Sequence, residues 1–223
     1  MEWNEEIIME TFKGVWVHRY RDQVPELRID SILHMENIMT SDPDLFVKDQ
    51  YLKYLGWMCN DTTASVRKTA LRALTTVVEA QPSESLSAFI TRFLSRFLEM
   101  CRDVDHNVIV SAIQLLCSLD QKGFLADMDT EELRAVEALA FHATNLSIRK
   151  AAAQFVCLQY EAFGKLDPTE QTNRQTEMFV QQAIALVEFV EDQVEMDEEG
   201  ETLAWQQVDD VVQAFSTLDD CRT

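Results

Sequence analysis

A chain of 223 residues with 47% apolar side chains can bury a sizeable core, which excludes wholesale disorder. Five glycines and four prolines are sparse punctuation for a sheet-rich fold, and helix formers (Leu, Ala, Glu, Gln, Met) fill the intervals, so the expected class is all-α. A formal charge of -20 repels phosphate backbones and anionic membranes; it argues against nucleic acid as the main ligand and favours basic or apolar protein ligands.

The chain opens on MEWNEEIIMETF, which is acidic and has no cleavage site, so no signal peptide is expected. A first helix is expected over Glu5–Arg21 and ends at Asp22. From Asp22 a pattern begins that recurs without gaps: Asp22-QVPELRIDSILHM, Asp61-TTASVRKTALRAL, Asp103-VDHNVIVSAIQLL and Ala143-TNLSIRKAAAQFV. The anchors 22, 61, 103 and 143 are 39, 42 and 40 residues apart, the period of HEAT or armadillo units. Five residues after each anchor stand Leu27, Val66, Val108 and Ile148, followed by Arg28, Arg67, Ile109 and Arg149. Nine after it stand the small residues Ser31, Ala70, Ala112 and Ala152, and thirteen after it Met35, Leu74, Leu116 and Val156. Steps of four trace one apolar stripe, with small residues where a neighbouring helix approaches closely, so each anchored segment is the second helix of a pair.

The other first helices are expected over Asp44–Asn60, Ser85–Arg102 and Thr130–His142. Asp at an anchor suits a short turn, because its carboxylate accepts from backbone amides just ahead. Pro25, Pro43, Pro82 and Pro168 stand where helices begin. A fifth pair is expected over 169–195 and 201–218, and residues 188–201, with eight acids and no base, read as a solvated helix end and turn. Each unit buries its apolar face only against its neighbours. The expectation is therefore a HEAT-repeat α-solenoid of about five antiparallel helix pairs, forming one domain over residues 1–223.

Cysteines 59, 101, 117, 157 and 221 are odd in number and form no CxxC pair, which points to reduced thiols, several of them buried. No apolar run approaches the length of a membrane span, and a soluble intracellular protein with no membrane partner is expected. There is no HExxH, no GxSxG and no phosphate-cradling glycine loop. Histidines 18, 34, 106 and 142 have no ligand at metal spacing. His34, one residue before Met35, is read as packed. No enzyme, metal site or cofactor is expected.

What remains is surface recognition. Two residues before the anchors stand Tyr20, Cys59, Cys101 and Phe141, an apolar column in which Tyr20 should be partly buried. Four before them stand His18, Trp57, Glu99 and Leu139; a column that accepts Glu is not deep core. Trp57 is read equally as an exposed binding residue or as a ring packed between two repeats. Asp49, Lys53 and Trp57 fall at i, i+4 and i+8 on one helix face, and Arg92 lies at nearly the same level of the next first helix. By spacing alone these charges form either a grip for an extended peptide or, slightly favoured, a surface ion-pair network of little energetic weight.

The same residues carry a resemblance. FKGVWVHRYRD (Phe12–Asp22), DQYLKYLGW (Asp49–Trp57) and FITRF (Phe89–Phe93) closely resemble the stromalin conservative domain of the cohesin stromal-antigen subunits, over about residues 10–110. The resemblance implies a HEAT-repeat accessory subunit of the complex that holds sister chromatids together, nuclear and chromosome-associated. It implies binding to the kleisin subunit and a pocket for Phe/Tyr-x-Phe motifs of cohesin regulators. The pocket would comprise Tyr20, Asp49, Lys53, Trp57 and Arg92, with the Tyr and Trp on the motif's aromatics and the charged residues on its polar groups and backbone. Leu94 departs from the family, which tends to have a basic residue there, and the acidic second half is unlike the family's DNA-contacting patches. Chromatin would be reached through the complex, with little direct DNA binding. The rival expectation is a HEAT-type transport or trafficking adaptor holding a basic ligand on an acidic face.

Overall fold

A computed structural model describes residue 7 and residues 10–126, 128 and 130–165, and every regular element among them is helical. The chain falls into two compact units, Met1–Phe124 and Leu125–Thr223.

The first unit starts with a π-helical turn, Phe12–Trp16, that runs into α1 (Val17–Arg19). There follow α2 (Pro25–Ser41), α3 (Pro43–Phe46), α4 (Asp49–Met58), α5 (Ala64–Ala80), α6 (Ser83–Met100) and α7 (His106–Gln121). The second helices form one layer, α2 on α5 and α5 on α7, while α4 packs on α6 in the other. The anchors act as expected. The Asp22, Asp61 and Asp103 carboxylates accept from the N–H of Val24, Thr63 and Asp105 at 3.0, 2.8 and 2.9 Å. Pro25 and Pro43 sit in the first turns of α2 and α3, where a missing N–H costs nothing, and Asp105 caps α7 by accepting from Asn107 and Val108.

The stripe is the core. Ser31, Ala70 and Ala112, and Met35, Leu74 and Leu116, are all buried. Two positions depart from expectation. Leu27 is 39% exposed although Val66 and Val108 in its column are buried, and His34 is exposed rather than packed. Both lie on α2, which has no earlier second helix among the described residues to cover that face.

The first helix of the second pair, expected as one element over Asp44–Asn60, is broken, with Lys48 extended at φ -132 and ψ 146. Phe46 and Val47 are both buried. The break redirects the chain between α3 and α4. Phe46 thereby reaches Phe12 and Tyr51, with ring centroids 6.0 and 5.4 Å apart. It also places Asp49 in the first turn of α4, where a carboxylate is favoured by the helix dipole. The expected helix Glu5–Arg21 contains the π turn instead of regular α geometry throughout; the Val17 N–H reaches back to the Phe12 carbonyl, and Phe12 is turned into the core. After α7, Gly123 takes φ 79, a left-handed conformation that side chains resist, and the Phe124 N–H closes on the Leu119 carbonyl at 3.0 Å.

In the second unit, α8 (Thr130–Glu137) and α9 (Leu139–His142) replace the single helix expected over Thr130–His142. The interruption is slight, because the Ala138 N–H still bonds the Arg134 carbonyl at 2.9 Å. In α10 (Leu146–Lys165), Asn145 accepts from Ser147 and Ile148 and so supplies the cap that Ala143 lacks. Leu133, Val136, Ala140, Ile148, Ala152, Phe155 and Val156 are buried. The expected fifth pair and the acidic run at 188–201 lie outside the described residues.

Candidate peptide-binding site

Four of the five candidate residues come from two first helices: α4 carries Asp49, Lys53 and Trp57 on one face, and α6 carries Arg92. Tyr20 follows α1 and is 5% exposed, more buried than the half-open position expected of it. Its ring lies against Trp57 with centroids 6.1 Å apart and planes 28° from parallel, while Trp57 keeps 40% of its surface exposed. Trp57 thus combines the two readings open to it: one part of the ring packs against the preceding repeat and another faces solvent.

Lys53 lies one turn before Trp57 and holds its ammonium 5.4 Å from the indole and 5.3 Å from the Tyr54 ring. Arg92 donates to the Asp49 carboxylate at 2.9 Å, across two helices, with side chains 46% and 43% exposed. The candidate residues therefore fall into an aromatic group (Tyr20, Trp57) topped by Lys53, and an open ion pair (Asp49, Arg92) at the start of α4.

Tyr54 was missed. It fills the corner between Tyr20 and Trp57, edge-on to both at 5.1 and 5.3 Å, and rests on buried Phe12 at 5.6 Å. Its spacing of three from Trp57 was the available signal. Arg21, whose guanidinium lies 5.1 Å over the Tyr20 ring, was missed as well.

Arginine–aspartate pairs form a ladder that links successive repeats. Arg28 donates to both Asp61 carboxylate oxygens at 2.7 Å and to the Asp22 carbonyl at 2.8 Å. One repeat on, Arg67 donates to Asp103 at 2.8 and 2.6 Å and to the Asp61 carbonyl at 2.8 Å. Burial would raise the Asp61 and Asp103 carboxyls, but the arginine hydrogen bonds and the backbone N–H of Thr63 and Asp105 overcome it and hold both below the usual carboxylate range. The thiol of Cys59, two residues after Trp57, is pushed by burial up to about 12 and stays protonated at neutral pH, despite the opposing charge of Arg96. Among the described residues no group of three His, Cys, Asp or Glu is placed to hold a metal ion, and no helix is long and apolar enough to cross a membrane.

Comparison with known proteins gives a family match over part of the chain. Residues 21–98 match the model of the stromalin conservative domain. The chain is 40% identical over 126 residues to sister-chromatid cohesion protein 3 of Arabidopsis thaliana, covering 56% of this chain and 12% of that protein. It is 34% identical over 148 residues to human cohesin subunit SA-3, covering 65% of this chain and 12% of that one. The matched stretch is thus about an eighth of either relative's length. Among solved structures, the cohesin subunit Scc3 of Z. rouxii superposes with a TM-score of 0.70 at 22% identity, over 96% of this chain and 26% of that one. A designed armadillo repeat protein follows at 0.56 and 16%, covering 95% and 86%. At such identities these two speak for the fold alone, an α-solenoid of stacked helix pairs. Residues 21–98 thus carry the stromalin conservative domain, and over this part the chain is similar to cohesin subunits of the stromalin family.

Proposed function

We propose that the chain is a non-enzymatic scaffold of a cohesin complex, nuclear and chromosome-associated, that binds the kleisin subunit and takes up short Phe/Tyr-x-Phe motifs at Tyr20, Asp49, Lys53, Trp57 and Arg92. The observation that carries this is Trp57, a large ring left 40% exposed on a firm aromatic base and bordered by Lys53 and the Asp49–Arg92 pair. Flat exposed Trp is the side chain most enriched among binding hot spots, because it buries much area at little entropic cost. A ligand aromatic covering the open part of the indole would add to the stack that Tyr20 and Tyr54 begin. The exposed Asp49–Arg92 pair is worth only about 0–1 kcal/mol, so opening it to receive a ligand's backbone and polar groups costs little. The charge of -20 supports attachment to chromatin through the complex, with little direct DNA binding. The relatives' names, which speak of cohesin and sister-chromatid cohesion, support the same reading.

Calorimetric titration of a Phe/Tyr-x-Phe peptide, alone and with a kleisin fragment, into the wild type and Trp57→Ala tests it. The expected result is binding by the wild type and a loss of roughly 30-fold or more in the variant, the equivalent of a hot-spot residue, with helical content unchanged. A wild type that takes up no peptide even with kleisin present would overturn it.

A further inference from the structure

Arg96 stands seven residues before its anchor, where the other repeats have Val15, Tyr54 and Val136. A guanidinium in an apolar column calls for a reason, and its contacts supply one. Arg96 is 30% exposed and donates from Nε and Nη2 to a single acceptor, the Cys59 carbonyl, at 3.3 and 2.9 Å. Its remaining terminal nitrogen is held by Glu99 at 3.0 Å. Cys59 is the residue on which α4 ends, two positions after Trp57. A cation on the last carbonyls of a helix satisfies acceptors left open there and meets the negative end of the dipole.

The same short turn is gripped by two more arginines. Arg28, on α2, binds the Asp61 carboxylate; Arg67, on α5, binds the Asp61 and Thr62 carbonyls at 2.8 and 3.1 Å. Arginines from three successive repeats therefore converge on residues 59–62. Arg28 and Arg67 belong to the repeating ladder, whereas Arg96 is particular to this place. One turn earlier on α6, Arg92 meets Asp49 at the start of α4. The helix that presents Trp57 is thus held at both ends by its neighbour α6, through the exposed Arg92–Asp49 pair at its first turn and through two hydrogen bonds from Arg96 at its last.

We infer that Arg96 is a positioning residue for the Trp57 site: by fixing the C-terminal end of α4 it sets the attitude of the indole, and it keeps that attitude when a ligand draws Arg92 away from Asp49. Arg96 contributes no ligand contact. The inference rests on the reading of Trp57 as the ligand-contacting residue, and it makes the site sensitive to bending between repeats, because three repeats meet in the turn behind it.

The test uses the full chain with Arg96→Met, which keeps much of the apolar stem, and Arg96→Lys, which can still donate to the carbonyl. Amide hydrogen exchange at residues 59–61, the affinity of a Phe/Tyr-x-Phe peptide in the presence of a kleisin fragment, and the global melting transition are read together. In Arg96→Met, exchange at 59–61 should rise and affinity fall by about tenfold each, as expected for hydrogen bonds from a charged donor, with only a small change in melting. Arg96→Lys should recover part of both, as a single donor replacing a fork. Wild-type exchange in Arg96→Met would overturn the inference, and so would an affinity loss without local exchange, which would make Arg96 a contact residue. If the wild type binds no peptide, the site reading fails by itself, and raised exchange confined to 59–61 and reversed by Lys still upholds Arg96 as the anchor of α4.

Discussion

Two arginine–aspartate pairs of this chain look alike in sequence and differ in weight. Arg28 and Asp61 are both nearly buried and joined through two oxygens, and Arg28 also donates to the Asp22 and Gln23 carbonyls and the Thr63 hydroxyl. Removing one partner strands a buried charge, at a cost of about 3–5 kcal/mol. Asp61→Ala is therefore expected to lower the denaturant midpoint severely, while Arg28→Met with Asp61→Leu should lose far less. A double-mutant cycle in urea checks this, and additivity would contradict it. The pH dependence has a definite sign. Because the Asp61 carboxyl is held below its ordinary value, its contribution is complete above the unfolded pKa of about 3.9 and is lost as pH falls through the folded value. The stability gap between wild type and Asp61→Asn should be constant above about pH 5 and shrink below about pH 4. The exposed Asp49–Arg92 pair should contribute almost nothing in the same assays, which leaves it available for recognition.

At the scale of elements, the site depends on how closely α4 meets α6. Gly56 lies on the contact face, and a Cβ there would fall 2.5 Å from Cε1 of Phe93, a buried ring with little room to turn. Gly56→Ala should cost about 1–3 kcal/mol by overpacking and push apart the helices that carry Asp49 and Arg92. Chemical denaturation measures the first effect and peptide affinity the second. Phe93→Leu in the Gly56→Ala background should restore much of both, and failure to do so would refute the steric cause. The helices themselves were legible, since the apolar stripe and the Asp anchors obey local rules. The break at Lys48 and the π turn at Phe12–Trp16 were not, because they accompany a contact between Phe12 and Phe46, which stand 34 residues apart in the chain.

At the scale of the whole molecule, the net charge of -20 is unevenly carried: residues 125–223 hold 21 of the 39 acids and 6 of the 19 bases. Self-repulsion of this kind destabilises compact states and is screened by salt, whereas buried pairs are screened much less. Raising sodium chloride from about 0.02 to about 0.5 M should raise the melting temperature, whereas a chain held mainly by exposed ion pairs would melt lower. The gap between wild type and Asp61→Asn should be nearly unchanged by the same salt, because that pair is sheltered.

Periodicity, anchors and the blocks at Phe12–Asp22, Asp49–Trp57 and Phe89–Phe93 were enough to read the first four helix pairs, their register and the stromalin conservative domain from the sequence alone, because spacings of four and of about forty are properties of the chain's own order. Arg28 and Arg67 were visible as a repeating column and Arg96 as one turn from Arg92, but not what each of them holds. Their meaning depends on which carbonyl or carboxylate a neighbouring repeat brings within 3 Å or so, and no local rule states that. The same holds for Trp57, whose spacing was compatible with core and with surface alike. Tyr20 and Tyr54 decide the matter by covering one part of the indole and leaving the rest open, and they reach it only once the repeats are stacked.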